Sequence, residues 1–173
     1  MTSVSEITLR AMEPEDLELI YRIENDRAFW RFGNTSVPYS RWTLRRFIET
    51  SSCDLFADQQ VRLVVQGKDS IGNAVTVGLA DLVNFNPLHH RAEISLAILP
   101  EFQGQHLGQP IVQQLLRYAI SLGLHQLYAI IAETNTPANR LFQHLGFTPS
   151  ALLKDWLCCD NQFVDARVWQ KNI

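Results

Sequence analysis

The stretch of this sequence with the most chemistry in it is Leu99-Pro-Glu-Phe-Gln-Gly-Gln-His-Leu-Gly-Gln109, which passes from a buried apolar strand into the start of a long helix. Backbone amides at a helix start have no acceptor within the helix and lie at the positive end of its dipole, so they can hold a phosphate. Gly104 and Gly108 would let that backbone come close to a ligand. Neither G-x-G-x-x-G nor G-x-x-x-x-G-K-[ST] occurs here, and glycines in a strand-to-helix turn also serve simple turn geometry, so both readings stand. His89 and His90 are adjacent on a loop and read as solvated side chains, and no ligand set for a metal accompanies them.

These groups must be positioned by the elements around them. Residues 7–9 read as a short strand, and Pro14 starts a helix at the position where a missing amide costs nothing. Leu17, Ile20 and Tyr21 give that helix an apolar face, and Ser40 caps a second one carrying Leu44, Phe47 and Ile48. Strands over 61–65 and 74–85, separated by the turn-rich residues 67–73, read as an antiparallel pair, and 92–99 is a further strand ended by Pro100. From Leu107 the stripe Ile111, Val112, Leu115, Leu116, Ala119 predicts a long helix ending near Gly123. A strand over 126–131, a helix over 135–145 with Gly146 as its C-cap, and a closing hairpin turning at Asp160-Asn161 complete the order βααβββαβαββ.

The chain has 173 residues, of which 46% are apolar and 19% charged, enough for one domain over residues 1–173 with a sizeable core. A net charge of -3 gives no general support to nucleic-acid binding, and no apolar run approaches the ~20 residues that cross a bilayer. Nucleic-acid and membrane partners are therefore not expected. The N-terminus lacks a basic start and an apolar stretch, which points to the cytoplasm. Cys53 and the adjacent Cys158 and Cys159 are an odd set, and neighbours in a strand face opposite ways, so they read as small apolar residues and not as a disulfide framework.

Taken together, Gln103-Gly-Gln-His106-Leu-Gly108 resembles the central motif of the GNAT superfamily of acetyl-CoA-dependent acyltransferases, Gln/Arg-x-x-Gly-x-Gly/Ala entering a helix. The downstream Asn135-Thr-Pro-Ala138-Asn-Arg-Leu-Phe142-Gln-His-Leu-Gly-Phe147 is similar to that family's Asn-x-x-Ala-x-x-x-Tyr-x-x-x-Gly-Phe segment. The opening Leu9-Arg10-Ala-Met-Glu-Pro-Glu-Asp-Leu17, His90-Arg-Ala-Glu93 and the terminal hairpin resemble the spermidine and ribosomal-protein N-acetyltransferase branch. The resemblance implies an α/β GNAT fold, a central mixed, mostly antiparallel sheet flanked by helices. It implies that a pantetheine arm pairs with main-chain groups of Leu96, Ala97 and Ile98, and that a pyrophosphate rests on amides of Gln103, Gly104, Gln105, His106, Leu107, Gly108 and Gln109. Asn135 would bind the pantetheine region, with Ala138, Asn139 and Phe142 on the helix wall beside it.

Two departures from the family pattern matter, one in the loop and one in the helix. His106 stands where the motif has its first glycine and would either crowd a phosphate or donate to it, and Pro110 removes one amide from the first helical turn. Phe142 stands where many members place a tyrosine that protonates the departing thiolate; water, Tyr128 or Ser95 would have to substitute. An ammonium must lose a proton before it attacks a carbonyl, and Glu93 is the candidate base, read alternatively as a salt-bridged surface residue. Trp30, with Phe29 and Phe32, lies where members form one wall of the acceptor site, or else packs in a core. The segment 33–39 lacks the acidic residues with which polyamine-acetylating relatives surround their second helix. The expected function is acetyl transfer from acetyl-CoA to a primary amine, of a small molecule, polyamine or protein, by direct attack in a ternary complex. A non-catalytic acyl-CoA-binding module is the alternative, and a homo-oligomer is compatible with the sequence.

Overall fold

The computed structural model describes residues 4–30 and 37–173, so Arg31 and Phe32, grouped above with Trp30, lie outside the described residues, as do 33–36. Strand β1 (Ser5–Ala11) leads through a 3-10 turn (Pro14–Asp16) into helix α1 (Leu17–Asn25). Asp16 fastens this corner: it accepts from the Glu13 amide at 2.8 Å and from both arms of Arg10 at 2.6 and 2.8 Å. Helix α2 (Arg27–Trp30) follows, its Ala28 amide bonded to the Asp26 carboxylate. Helix α3 (Arg41–Thr50) starts on its expected cap, with the Ser40 hydroxyl accepting from the Thr43 amide at 3.1 Å. Helix α4 (Leu55–Asp58) and α2 are additions to the expected order, each too short to carry an apolar period.

The remaining elements are β2 (Val61–Lys68), β3 (Ala74–Asn86), β4 (Arg91–Ile98), α5 (Gly108–Ser121), β5 (Gln126–Ala132), α6 (Thr136–His144), β6 (Thr148–Cys159) and β7 (Gln162–Asn172). Gly67, expected in a loop, is instead in β2, and the turn is made by Asp69, whose carboxylate accepts from the Ile71 and Asn73 amides. The strands form one sheet in the order β1-β2-β3-β4-β5-β7-β6. Neighbours are antiparallel except β4 and β5, which are parallel. Asp160 and Asn161 turn the last hairpin at φ 51 and 61, the left-handed pair its sequence predicts.

Each face of the sheet carries its own core. On one face α5 packs Ile111, Val112, Leu115 and Ala119, and α6 packs Phe142, against Ala92, Ile94, Leu127 and Ala129. On the other, Ile20 and Ile23 of α1 and Leu44 and Ile48 of α3 meet Val64, Leu79 and Leu99. Burying side chains of this size contributes ~1.5–3 kcal/mol each, so both helix layers are held chiefly by apolar burial. Cys159 is buried and Cys158 exposed, as opposite faces of one strand require, and no disulfide joins cysteines among the described residues. Among the described residues no helix is long and apolar enough to cross a membrane, and no cluster of side chains is arranged to hold a metal ion.

Candidate active site

The site begins as a gap in the sheet. Strand β4 stays paired with β3 from Glu93 to Ile98, but its pairing with β5 covers only Arg91, Ala92 and Glu93 and stops at the pair Glu93–Tyr128. Beyond that point β5 continues with β7 alone, and the two parallel strands part. The Leu99 amide donates to the Val77 carbonyl of β3 at 2.9 Å; by the alternation of strand backbone, Leu96 and Ile98 turn their polar groups the other way, into the gap. The Gln103 side chain occupies one of these groups, donating to the Ile98 carbonyl at 2.8 Å. Gly78 makes this course of β4 possible, since a Cβ there would stand 2.0 Å from the Ala97 carbonyl oxygen. A glycine inside a strand signals close backbone approach, and that signal was present in the sequence.

The loop from β4 to α5 closes one end of the gap. A 3-10 turn (Pro100–Phe102) opens it, and Arg22 of α1 grips Glu101 with two bonds of 2.8 and 2.9 Å. Gly104 and His106 both take left-handed backbone, with φ 76 and 58. Such interruptions of ordinary backbone are how chains form concave rows of amides that bind anions. The amides of residues 104–109 donate to no acceptor among the described residues, whereas the Ile111 amide is already bonded to Leu107. His106 therefore adopts the conformation for which the family motif has glycine, at a cost of ~1–2 kcal/mol for an L-residue, and its ring is exposed. Gly108 has a different reason: a Cβ there would lie 2.7 Å from the Leu141 side chain, so the start of α5 rests directly on α6.

Glu93, Ser95 and Ala97 alternate onto the face of the sheet that α1 and α3 cover, where Ala97 and Phe29 pack with Leu79. The Glu93 carboxylate accepts from the Asn84 side-chain amide at 2.8 Å. Burial pushes the Tyr128 phenol up, as does the Glu93 charge to which its hydroxyl is bonded. One row along, Ser95 is opposite Asp81, and Asp81 opposite Arg62. Arg62 holds Asp81 with bonds of 3.1 and 3.0 Å and also takes the Glu24 carboxylate. Burial pushes the Asp81 carboxyl up against the pull of Arg62; burial alone would lower the Arg62 pKa, but its two carboxylates raise it. The sequence reading missed this trio, although a charge inside an apolar strand, once at Arg62 and once at Asp81, demands a partner. Trp30 sits beside it, its ring nitrogen donating to the Glu24 carbonyl at 2.6 Å.

The α6 residues divide. Asn135 caps the helix, its side-chain oxygen accepting from the Ala138 amide at 3.3 Å. Ala138 packs on the core shared with α5. Asn139 faces away from that side: it donates to the Ala132 and Asn135 carbonyls at 2.9 and 3.0 Å and accepts from the Trp169 ring nitrogen at 2.8 Å. It lines a separate cavity of about 300 Å³ with Arg140, Gln143 and Trp169, so the structure does not bring it to the gap. Phe142 is buried edge-on against Phe147 at 4.8 Å and offers no hydroxyl. Glu93, Leu96, Ala97 and Ile98 thus follow one another along β4 from the point where it leaves β5, and the loop 103–109 continues from that strand into α5.

Known proteins share this fold. The family described as Acetyltransferase (GNAT) domain matches residues 6–148. The chain is 30% identical over 171 residues to spermidine N(1)-acetyltransferase of Escherichia coli, covering 96% of this chain and 86% of that one. It is 28% identical over 164 residues to the Vibrio cholerae spermidine N(1)-acetyltransferase, covering 94% and 91%. The crystal structure of the V. cholerae enzyme in complex with CoA and spermine superimposes with TM-score 0.83 at 27% identity, over 96% of this chain and 95% of that one. A second V. cholerae structure, described as dodecameric, gives 0.78 at 27% identity, over 96% and 93%. The chain belongs to the GNAT acetyltransferase family and is, with it, an acetyl-CoA-dependent N-acetyltransferase.

Proposed function

We propose that the gap between β4 and β5 receives the pantetheine arm of acetyl-CoA, and that a primary amine reaches the thioester from the side of Glu93. The observation that carries this reading is the parting of β4 from β5 immediately after Glu93, which leaves strand-edge groups of Leu96 and Ile98 beside a loop of unbonded amides. An amide-rich arm can satisfy that edge as a further strand would, and the amides of residues 104–109 suit a pyrophosphate. A donor at the same edge would stabilise the oxyanion that forms as the amine attacks.

In the step itself the ammonium first gives up one proton, the amine nitrogen bonds to the thioester carbon, and as the carbon–sulfur bond breaks the nitrogen loses a second proton, which passes to water or to the departing thiolate. Glu93 is the group that attracts the ammonium and takes its proton, directly or through water. Its two neutral donors, Asn84 and Tyr128, leave further lone pairs of the carboxylate open. The thiolate, from a thiol of pKa ~8.5, departs without the tyrosine that Phe142 replaces, and Ser95, exposed on the Glu93 face, is the hydroxyl nearest in register. The polyamine-acetylating relatives make amines the first acceptors to test. Homo-oligomer formation belongs to the same proposal and is read by mass measurement in solution.

The test is amine-dependent release of free thiol from acetyl-CoA, followed in the wild type and in Glu93→Gln. Release that requires both an amine and Glu93 supports the proposal. Acetyl-CoA binding with no release for any amine would instead favour a non-catalytic binding module, and no binding at millimolar acetyl-CoA would sink both.

A further inference from the structure

Regular alternation along β3 would keep Asn84 away from Glu93. Val83 pairs with Glu93 and Asn86 with Arg91, so two residues of β3, Asn84 and Phe85, stand opposite the single residue Ala92 of β4. That is a β-bulge, and Asn84 sits in it with left-handed backbone at φ 51. In an unbroken ladder Asn84 would pair with Ala92 and point into the core under α5, and Phe85 would turn away from that core. With the extra residue in place, Phe85 shares the core with Ala92, and its amide donates to the Gln59 carbonyl at 3.2 Å. The Asn84 side chain reaches the opposite face instead, where it donates to the Glu93 carboxylate at 2.8 Å.

Strand β5 bounds Glu93 on its other side. Tyr128 is its partner in the last pair of the parallel ladder, and the phenol is bonded to the same carboxylate. Glu93 is therefore held from both neighbouring strands by neutral donors, at the residue after which β4 and β5 part. Of the charged groups on these strands, Arg91 is within electrostatic reach of Tyr128, and Asp81 lies opposite Ser95 and is bonded to Arg62. A glutamate side chain without partners spreads over several rotamers, whereas donors on two separate strands select one. We infer that Asn84 and Tyr128 are positioning residues for acetyl transfer, which fix the Glu93 carboxylate where the two strands separate, and that the β3 bulge is the device that brings Asn84 to it. The inference rests on the reading of Glu93 as the group that takes the ammonium proton.

Glycine accepts left-handed backbone without a penalty from a Cβ, so Asn84→Gly keeps the bulge and removes only the amide. Tyr128→Phe removes only the hydroxyl. With acetyl-CoA and either hexylamine or spermidine, each variant is expected to lose roughly ten-fold in kcat, the scale of one hydrogen bond to a charged group, while KM for acetyl-CoA stays within about two-fold of wild type. The acid limb of the pH–rate profile is expected to move to higher pH in both, because hydrogen bonds to a carboxylate favour its charged form. An Asn84→Gly protein that melts like the wild type and keeps its kcat and pH profile, while Glu93→Gln is impaired, shows that Asn84 serves the bulge alone and overturns the inference. So does a rise in KM for acetyl-CoA at unchanged kcat in both variants. A wild-type rate in Glu93→Gln overturns the reading of Glu93 itself, and this inference with it. No turnover of either amine by the wild type does the same to the acceptor reading.

Discussion

Gly78→Ala is a perturbation confined to one methyl group, and the structure sets its size. The new carbon would lie 2.0 Å from the Ala97 carbonyl oxygen and 3.0 Å from both the Ala97 carbonyl carbon and the Ile98 Cα. An ordinary contact begins near 3.4 Å, so β4 must retreat from β3 by about 1.4 Å at the residues that edge the gap. Overpacking of this kind costs ~1–3 kcal/mol, and weakening the neighbouring bond from Leu99 to Val77 adds ~1 kcal/mol. A total of ~2–4 kcal/mol corresponds to a fall in Tm of roughly 5–15 °C for a chain of this length. The functional loss is expected to exceed the stability loss, because a displacement near 1 Å at a positioning element costs ~100-fold in rate. Thermal melting and kcat/KM for acetyl-CoA, measured on the same preparation well below its Tm, read the two effects separately. A variant that melts within a degree of the wild type and keeps its kcat/KM would refute the claim that Gly78 sets the course of β4.

Four further outcomes follow from the same geometry. Glu93→Gln is expected to lower kcat with an amine by ~100-fold and to flatten the pH–rate profile, with acetyl-CoA affinity changed little; calorimetry and rate measurements across pH check both parts. In His106→Gly the relief of left-handed strain is opposed by a more flexible unfolded chain, so stability is expected to rise by no more than ~1 kcal/mol, and a loss above 1 kcal/mol would contradict the strained backbone. Phe142→Tyr adds a hydroxyl beside Phe147, and a destabilisation of ~1–3 kcal/mol in denaturant melts is expected if no partner meets it, against a gain in kcat if it reaches the thiolate. Arg10 holds the Asp16 carboxyl below the usual range, so that pair stabilises the fold above the unfolded carboxylate pKa and is lost as pH falls through the lower folded value. Asp16→Asn should therefore cost stability at pH 7 and make the acid limb of unfolding shallower below about pH 4.

How much of this was legible in the sequence depends on the range of the interactions concerned. Local rules carried far: Ser40 as a cap, Gly123 and Gly146 as left-handed helix ends, and Asp160-Asn161 as a turn are each decided within a few residues and appear as expected. The loop 103–109 was equally readable, because glycine and helix-start chemistry are local. The parting of β4 from β5 was not derivable from pattern, since it depends on which of two neighbours each strand keeps, β3 for one and β7 for the other. The same holds for Arg62, whose partners come from α1 and β3, 38 and 19 residues away along the chain. Asn139 shows the opposite failure. Its place in a family segment suggested the cofactor wall, but a helix turns ~100° per residue, and position 139 falls on the side of α6 away from Leu141 and the start of α5.

Hydrogen exchange of backbone amides with and without acetyl-CoA tests the central claim most directly, because it reads the proposed contacts at the groups that make them. The account predicts that added acetyl-CoA protects the amides of Leu96 and Ile98 and of residues 104–109. Protection confined to the cavity beside Asn139, Arg140 and Trp169, with the β4 edge and the loop unchanged, would contradict it.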